Sequence, residues 1–222
     1  MLSVCATPIG NSKDISVRVL EAIKAAELVI GEEGKPTRQL LKDHGLTGRL
    51  VEALNEHTEL ADLKRLVEEC KTKQVVLVSD CGTPGFCDPG ADLIRMARES
   101  GVEIHALPGP SSLMAFLSIC GRRLDRFLFD GFLPRDSNER RRAIRAWPKN
   151  RAVIVLETPY RLGALLTDLE AVDPGRSCVL ALDLTQPTEF YCEGTTRHVR
   201  DTVEKKFGKG HKAEIVLMME PI

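Results

Sequence analysis

No apolar run in this chain approaches the roughly 20 residues that a membrane-spanning helix needs, so a helical membrane protein is excluded. Nothing near Met1 resembles a secretory leader, because Met1-Leu2-Ser3-Val4-Cys5-Ala6 runs straight into Thr7-Pro8. The seven cysteines form no CxxC pair, and Cys81 and Cys87 have no histidine or further cysteine at zinc spacing. They are expected to be reduced and mostly buried, as in a cytosolic protein. His44, His57, His105, His198 and His211 show no metal-ligand spacing either. The phosphate-loop pattern GxxxxGK[ST] and the dinucleotide fingerprint GxGxxG are missing. So is GxSxG, which removes support for a hydrolase nucleophile elbow. There is no internal repeat and no low-complexity tract.

What remains is an ordinary globular composition, 43% hydrophobic and 28% charged over 222 residues, enough for one large domain or two of about 100 residues each. The net charge is −1, but it is unevenly spread. Residues 122–151 hold ten Lys/Arg against four Asp/Glu, while the segments on either side are acidic. Much of that excess lies in Asn138-Glu139-Arg140-Arg141-Arg142-Ala143-Ile144-Arg145-Ala146-Trp147, which reads as a basic helix. Two readings stand at this point: a solvated face, or a local contact for a polyanion.

The N-terminal half alternates strand and helix. Strands are expected at Leu2–Ala6, Leu28–Gly31, Leu50–Leu54, Val75–Val78 and Val102–Ala106. Helices are expected from an Asp14 or Ser16 cap, and over Thr37–His44, Thr58–Lys71 and Ala91–Glu99. This is a βαβ series with a mostly parallel sheet. The second half is expected to hold strands at Phe127–Phe129, Ala152–Leu156, Cys178–Leu184 and Glu214–Met219, with Phe190–Cys192 antiparallel. Helices are expected at the basic segment, Pro159–Val172 and Val199–Phe207. Two α/β lobes, residues 1–120 and 121–222, with a ligand cleft between them form the simplest architecture.

Chemistry concentrates in Ser79-Asp80-Cys81-Gly82-Thr83-Pro84-Gly85-Phe86-Cys87-Asp88-Pro89-Gly90, directly after an apolar strand. Ligands of open α/β sheets bind outside the carboxyl ends of strands. Gly82 and Gly85 permit tight turns and a close approach to bare backbone. Turns at 7–11, 108–112 and 130–134 also follow predicted strands, so the four together are expected to line one pocket. Asp14, Glu32, Glu33, Asp80 and Asp88 are the acids nearest it. For Asp80, bracing the loop and touching a ligand are equally open.

Thr7-Pro8-Ile9-Gly10-Asn11 followed by Asp14-Ile15-Ser16 and Arg18 resembles the opening of the tetrapyrrole methylase superfamily. The similarity continues through Leu54-Asn55-Glu56-His57, the 77–90 loop, Pro108-Gly109-Pro110-Ser111-Ser112-Leu113, Gly131-Phe132-Leu133-Pro134 and Glu157-Thr158-Pro159-Tyr160-Arg161. It ends at Leu184-Thr185 with Glu189. The branch it resembles most 2′-O-methylates a cytidine of small-subunit ribosomal RNA. The resemblance implies a class III methyltransferase fold with S-adenosylmethionine held between two lobes, usually in a cytoplasmic homodimer. It implies that Pro8, Asp80, Gly82, Thr83, Gly85, Ser111 and Ser112 face the cofactor, with Leu156 and Leu182 closing over it. It gives the basic stretch an RNA-phosphate role, with Arg135, Arg140, Arg141 and Arg161 as contacts. A base that takes the ribose proton is expected at Glu32, with Asp88 second.

Two segments depart from the family pattern. Glu-Asp-Thr-Arg becomes Glu32-Glu33-Gly34-Lys35, and Arg-Glu-Leu-Thr-Lys becomes Leu182-Asp183-Leu184-Thr185-Gln186. The chain also stops at Ile222, where the ribosomal enzymes continue into a small helical extension. A short form is therefore expected, and with it a small-molecule or protein substrate, or a non-catalytic ribosome partner, stays open as an alternative.

Overall fold

The computed structural model describes all residues from Met1 to Ile222 and divides into two compact units, Met1–Ser111 and Ser112–Ile222. The division falls before the helix Ser112–Ile119, earlier than the boundary expected at residue 120. No helix is long and apolar enough to cross a membrane. All seven cysteines are free; Cys5, Cys70, Cys120 and Cys178 are buried, while Cys81 and Cys87 are exposed.

The first unit runs β1 (Leu2–Cys5), α1 (Val17–Ala25), β2 (Leu28–Gly31), α2 (Gly34–Asp43), β3 (Val51–Ala53), α3 (Leu60–Thr72), β4 (Val75–Val78), α4 (Gly90–Glu99) and β5 (Ile104–Leu107). Its sheet has the order β3-β2-β4-β1-β5 and every pair is parallel. Helices cover both faces, so the central strands read as continuous apolar runs. In β4, Val75 and Leu77 pack with Leu66, Cys70 and Leu93 from α3 and α4. Val76 and Val78 pack with Val19, Ile23 and Leu41 from α1 and α2. Ser16 caps α1 by accepting the Val19 amide at 3.2 Å. Thr58 does not cap α3; its hydroxyl accepts the Asn55 amide in the preceding turn, and the helix starts at Leu60.

The close approach of α2 to β2 depends on a missing side chain. A Cβ on Gly31 would lie 1.9 Å from Thr37 Oγ1. Thr37 is buried, and its hydroxyl donates to Glu33 O at 2.8 Å. Gly31→Ala is therefore expected to cost about 1–3 kcal/mol, as overpacking of a tight site does. A lowered denaturant midpoint at unchanged slope would check it.

The second unit contains α5 (Ser112–Ile119), β6 (Phe127–Phe132), α6 (Ser137–Ala146), β7 (Ala152–Glu157), a 3-10 turn at Pro159–Arg161, α7 (Leu162–Val172), β8 (Ser177–Leu182), β9 (Phe190–Thr195), α8 (Thr196–Phe207) and β10 (Ile215–Met219). The sheet order is β6-β7-β10-β8-β9. β6 and β7 are parallel, whereas β10 is antiparallel to both β7 and β8, and β8 to β9. Helices α6, α7 and α8 bury Ile144, Leu165, Leu169, Val199 and Val203 against Val153, Val155, Leu180 and Leu217 of this sheet.

Candidate active site

Parallel register brings the strand ends of the first unit to one edge. Cys5 lies opposite Val78 and Leu107, Ile30 opposite Leu77, and Gly31 opposite Ala53. The loops that follow are stitched together there. Thr7 donates its amide to Gly82 O at 2.8 Å and its hydroxyl to Ser79 O at 3.0 Å. Thr83, which is exposed, donates its hydroxyl to Pro110 O at 3.4 Å. Three of the four predicted turns, 7–11, 79–90 and 108–112, thus meet. The fourth, 130–134, is the end of β6 itself and the two residues after it, in the other sheet, which corrects the expectation that all four follow strands of one sheet edge.

The backbone of the central loop needs its glycines. Gly82 and Gly85 have φ of +84° and +76°, the left-handed region that a side chain disfavours. Asp88 braces this loop: its Oδ1 accepts the amides of Gly85 at 2.5 Å and Gly90 at 3.1 Å. Asp80 Oδ1 accepts the Glu33 amide at 3.3 Å and so ties the β4 loop to the end of β2. Pro8 and Asp80 are half-buried and Gly82 is buried. Ser111 closes the first unit, and Ser112 opens α5 of the second.

Beside these turns lies an open groove of about 620 Å³, lined by Glu32, Glu33, Leu54, Asn55, Glu56, His57, Thr58, Leu63, Cys87, Asp88, Pro89 and Asp92. Its carboxylates converge on half-buried Glu32. Burial first, and then the charges of Asp80, Asp88, Glu33 and Glu56, push the Glu32 carboxyl above the usual range. Burial also raises Asp80, as do the charges of Glu33 and Asp88, against a lowering contribution from the Glu33 amide. The sequence reading singled out Glu32 and Asp88 but gave no role to Glu56 or Asp92. The signal was the short strand before Leu54, whose end joins the same edge. Asp14, by contrast, sits exposed in a 3-10 turn and does not line the groove.

In the second unit Leu156 is half-buried near the end of β7, and Leu182 is buried at the end of β8. The turn after β8 is strained: Asp183 and Thr185 have φ of +49° and +69°. Asp183 is pinned there by the Glu214 amide and the Thr188 hydroxyl, each at 2.9 Å.

The arginines correct the expectation most sharply. Arg140 is buried and cannot meet a phosphate. Its Nε and Nη2 contact Asp168 Oδ2 at 2.7 and 2.5 Å, and its Nη1 donates to Pro134 O and Arg135 O at 3.0 and 2.9 Å. Arg161 is likewise engaged, donating to Leu133 O at 2.6 Å and pairing with buried Glu157 at 2.7 Å. Arg141 donates Nε to Asp168 at 2.6 Å and is only partly exposed. Arg135 alone of the four is an exposed guanidinium. Charge counting could not separate the arginines that turn inward toward an acid on the next helix from those that face water.

The family described as Tetrapyrrole (Corrin/Porphyrin) Methylases matches residues 1–200. This chain belongs to the tetrapyrrole methylase family. It is 38% identical over 222 residues to the ribosomal RNA small subunit methyltransferase I of Neisseria meningitidis serogroup B, covering 99% of this chain and 76% of that protein. Among solved structures, a diphthine synthase superposes with a TM-score of 0.76 at 19% identity, over 99% of this chain and 89% of the other. A uroporphyrin-III C-methyltransferase from Thermus thermophilus complexed with S-adenosylhomocysteine superposes at 0.65 and 14% identity, over 99% and 96%. The fold of this tetrapyrrole methylase is that of the class III methyltransferases, and membership of this methyltransferase family gives it S-adenosylmethionine as cofactor. The donor set of the first unit suits that ligand. Carbonyls, a hydroxyl and a ring of carboxylates favour a sulfonium and an ammonium and disfavour a triphosphate.

Proposed function

We propose that this methylase transfers a methyl group to the ribose 2′-hydroxyl of a cytidine in small-subunit ribosomal RNA, as a cytoplasmic homodimer. The observation that carries the chemistry is the stitched edge of the first sheet, with Glu32 held above its usual titration range beside the groove. The likeness to the Neisseria enzyme over 99% of this chain supports the RNA substrate.

S-adenosylmethionine supplies an electrophilic methyl on sulfur. Methyl transfer then asks the protein mainly for placement and for removal of one proton. Pro8, Asp80, Gly82, Thr83, Gly85 and Ser111 are the residues of the first unit assigned to hold the cofactor. Glu32 is assigned to take the ribose proton, because burial and then its acidic neighbours make its carboxylate more basic. Asp88 is assigned to hold the loop in shape, since its Oδ1 is already occupied by two amides.

The test is incubation with isotopically labelled S-adenosylmethionine and small ribosomal subunits that lack the modification. The expected product, located by mass spectrometry, is one 2′-O-methylcytidine. Retained S-adenosylhomocysteine binding without label in the RNA would overturn the substrate, and absence of that binding in calorimetry would overturn the whole reading.

A further inference from the structure

The second unit carries a cationic, aromatic surface that the basic helix does not account for. Because β7 and β10 are antiparallel with Ile215 opposite Glu157, the chain entering β10 lies beside the chain leaving β7. Phe132 lies opposite Leu156, so the end of β6 reaches the same edge. This register gathers Arg135, Tyr160 and Lys212. Tyr160 is 77% exposed, and Lys212 Nζ sits 4.5 Å from its ring centroid. Most of the Tyr160 surface therefore remains open to a further contact.

Lys212 ends a segment, the last residues of α8 and the turn after it, that reads Lys205-Lys206-Phe207-Gly208-Lys209-Gly210-His211-Lys212, four lysines with no acid among them. None of the four is ion-paired, in contrast to Arg140, Arg141, Arg161 and Arg200, whose charges face carboxylates. The segment is held by ring contacts, within itself and to Phe190 of β9. Phe207 and His211 stack at 4.2 Å and 8°, and Lys206 Nζ lies 4.8 Å from the Phe190 centroid. Behind it a groove of about 370 Å³ runs between α7 and α8, lined in part by Leu162, Leu166, Val203, Lys209 and His211.

We propose that Tyr160 and the 205–212 segment at the end of α8 form a second contact surface for a single-stranded segment of the RNA substrate. Tyr160 stacks one base on its exposed ring, while Lys205, Lys209 and Lys212 meet the flanking phosphates. An exposed ring next to unpaired cations is the combination that single-stranded nucleic acid recognition uses. The proposal rests on the RNA reading above and moves the phosphate contacts away from Arg140 of α6 and Arg161 of the 3-10 turn, which serve the fold.

The experiment measures binding of fluorescently labelled small-subunit ribosomal RNA, and of whole small subunits, to the full chain as a function of salt. The variants are Lys205→Gln/Lys209→Gln/Lys212→Gln, Tyr160→Ala and Tyr160→Phe. The triple variant is expected to bind about ten- to a hundredfold more weakly near 0.15 M salt, with the log–log salt slope shallower by about 2. Tyr160→Ala is expected to lose about five- to a hundredfold with an unaltered slope, and Tyr160→Phe to bind like the wild type. S-adenosylhomocysteine titration of each variant confirms that the fold and cofactor site persist. Wild-type binding to RNA that all three variants retain overturns this surface and leaves the function standing. Loss confined to whole subunits, with naked RNA bound normally, assigns the segment to an acidic protein and overturns the proposal as well. A wild type that binds no RNA overturns the substrate reading and this surface together.

Discussion

Asp168→Ala is expected to lower stability by about 3–5 kcal/mol, the usual consequence of removing one partner from a buried ion pair. Asp168 is 2% exposed and receives donors from three side chains: Ser137 at 2.9 Å, Arg140 at 2.7 Å and Arg141 at 2.6 Å. Without it the Arg140 guanidinium stays inside the unit, still fastened to the carbonyls of Pro134 and Arg135, with no counter-charge. For a chain of this size about 1 kcal/mol corresponds to 2–4 °C, so the melting temperature is expected to fall by about 10 °C. Arg141→Ala is expected to cost about 1 kcal/mol or less, because its side chain is 35% exposed and water can replace the contact. A thermal melt of both variants separates the two cases. Equal losses would show that burial does not set the strength of the network.

The pH dependence follows from the same contacts. Burial by itself would raise Asp168, but the Arg141, Ser137 and Arg140 donors outweigh it and hold the carboxyl below its ordinary value. A group lowered on folding stabilises above its unfolded pKa, near 3.9 for Asp, and that stability fades as pH falls through the folded value. The gap between wild type and Asp168→Asn should therefore be flat through neutrality and close only in strong acid.

The strands were the most legible part of the chain. Val75–Val78 and Leu28–Gly31 are apolar runs cut off by polar residues, and the structure keeps both bounds. Helix starts were less so, because the cues had other employment. Thr58 closes a turn, and α2 begins at Gly34 because its first turn tolerates Pro36, whose missing amide hydrogen has no helical partner to lose. The antiparallel insertion of β10 left no mark, since a fully buried strand such as Ile215–Met219 carries the same apolar pattern in either direction. The site was legible where it consists of turns after strands. It was illegible where it depends on which side chains converge. Glu56 arrives from β3 and Asp168 from α7, far along the chain from the residues they influence, and a linear pattern of charges records neither encounter.

Glu32→Gln is expected to reduce the rate of methyl transfer by about 10²–10⁴-fold, the contribution of a positioned general base. S-adenosylhomocysteine affinity should be nearly unchanged, because glutamine keeps the shape and removes only the basicity. The wild-type rate should climb with pH until the Glu32 carboxyl is deprotonated, at a midpoint above the ordinary glutamate range, since burial and the charges of Asp80, Asp88, Glu33 and Glu56 all raise it. Glu56 offers the cleaner diagnostic. It lines the groove from the β3 side, is exposed, and binds no backbone of the cofactor loop. Glu56→Gln removes one negative charge facing Glu32, so the acid limb of the rate profile should move to lower pH while the plateau rate is kept. A purely structural Glu32 predicts something different: loss of stability in Glu32→Gln, and no movement of the limb when Glu56 is neutralised. The two profiles, measured at saturating cofactor, decide whether the converging acids of this edge tune a proton acceptor or only shape the groove.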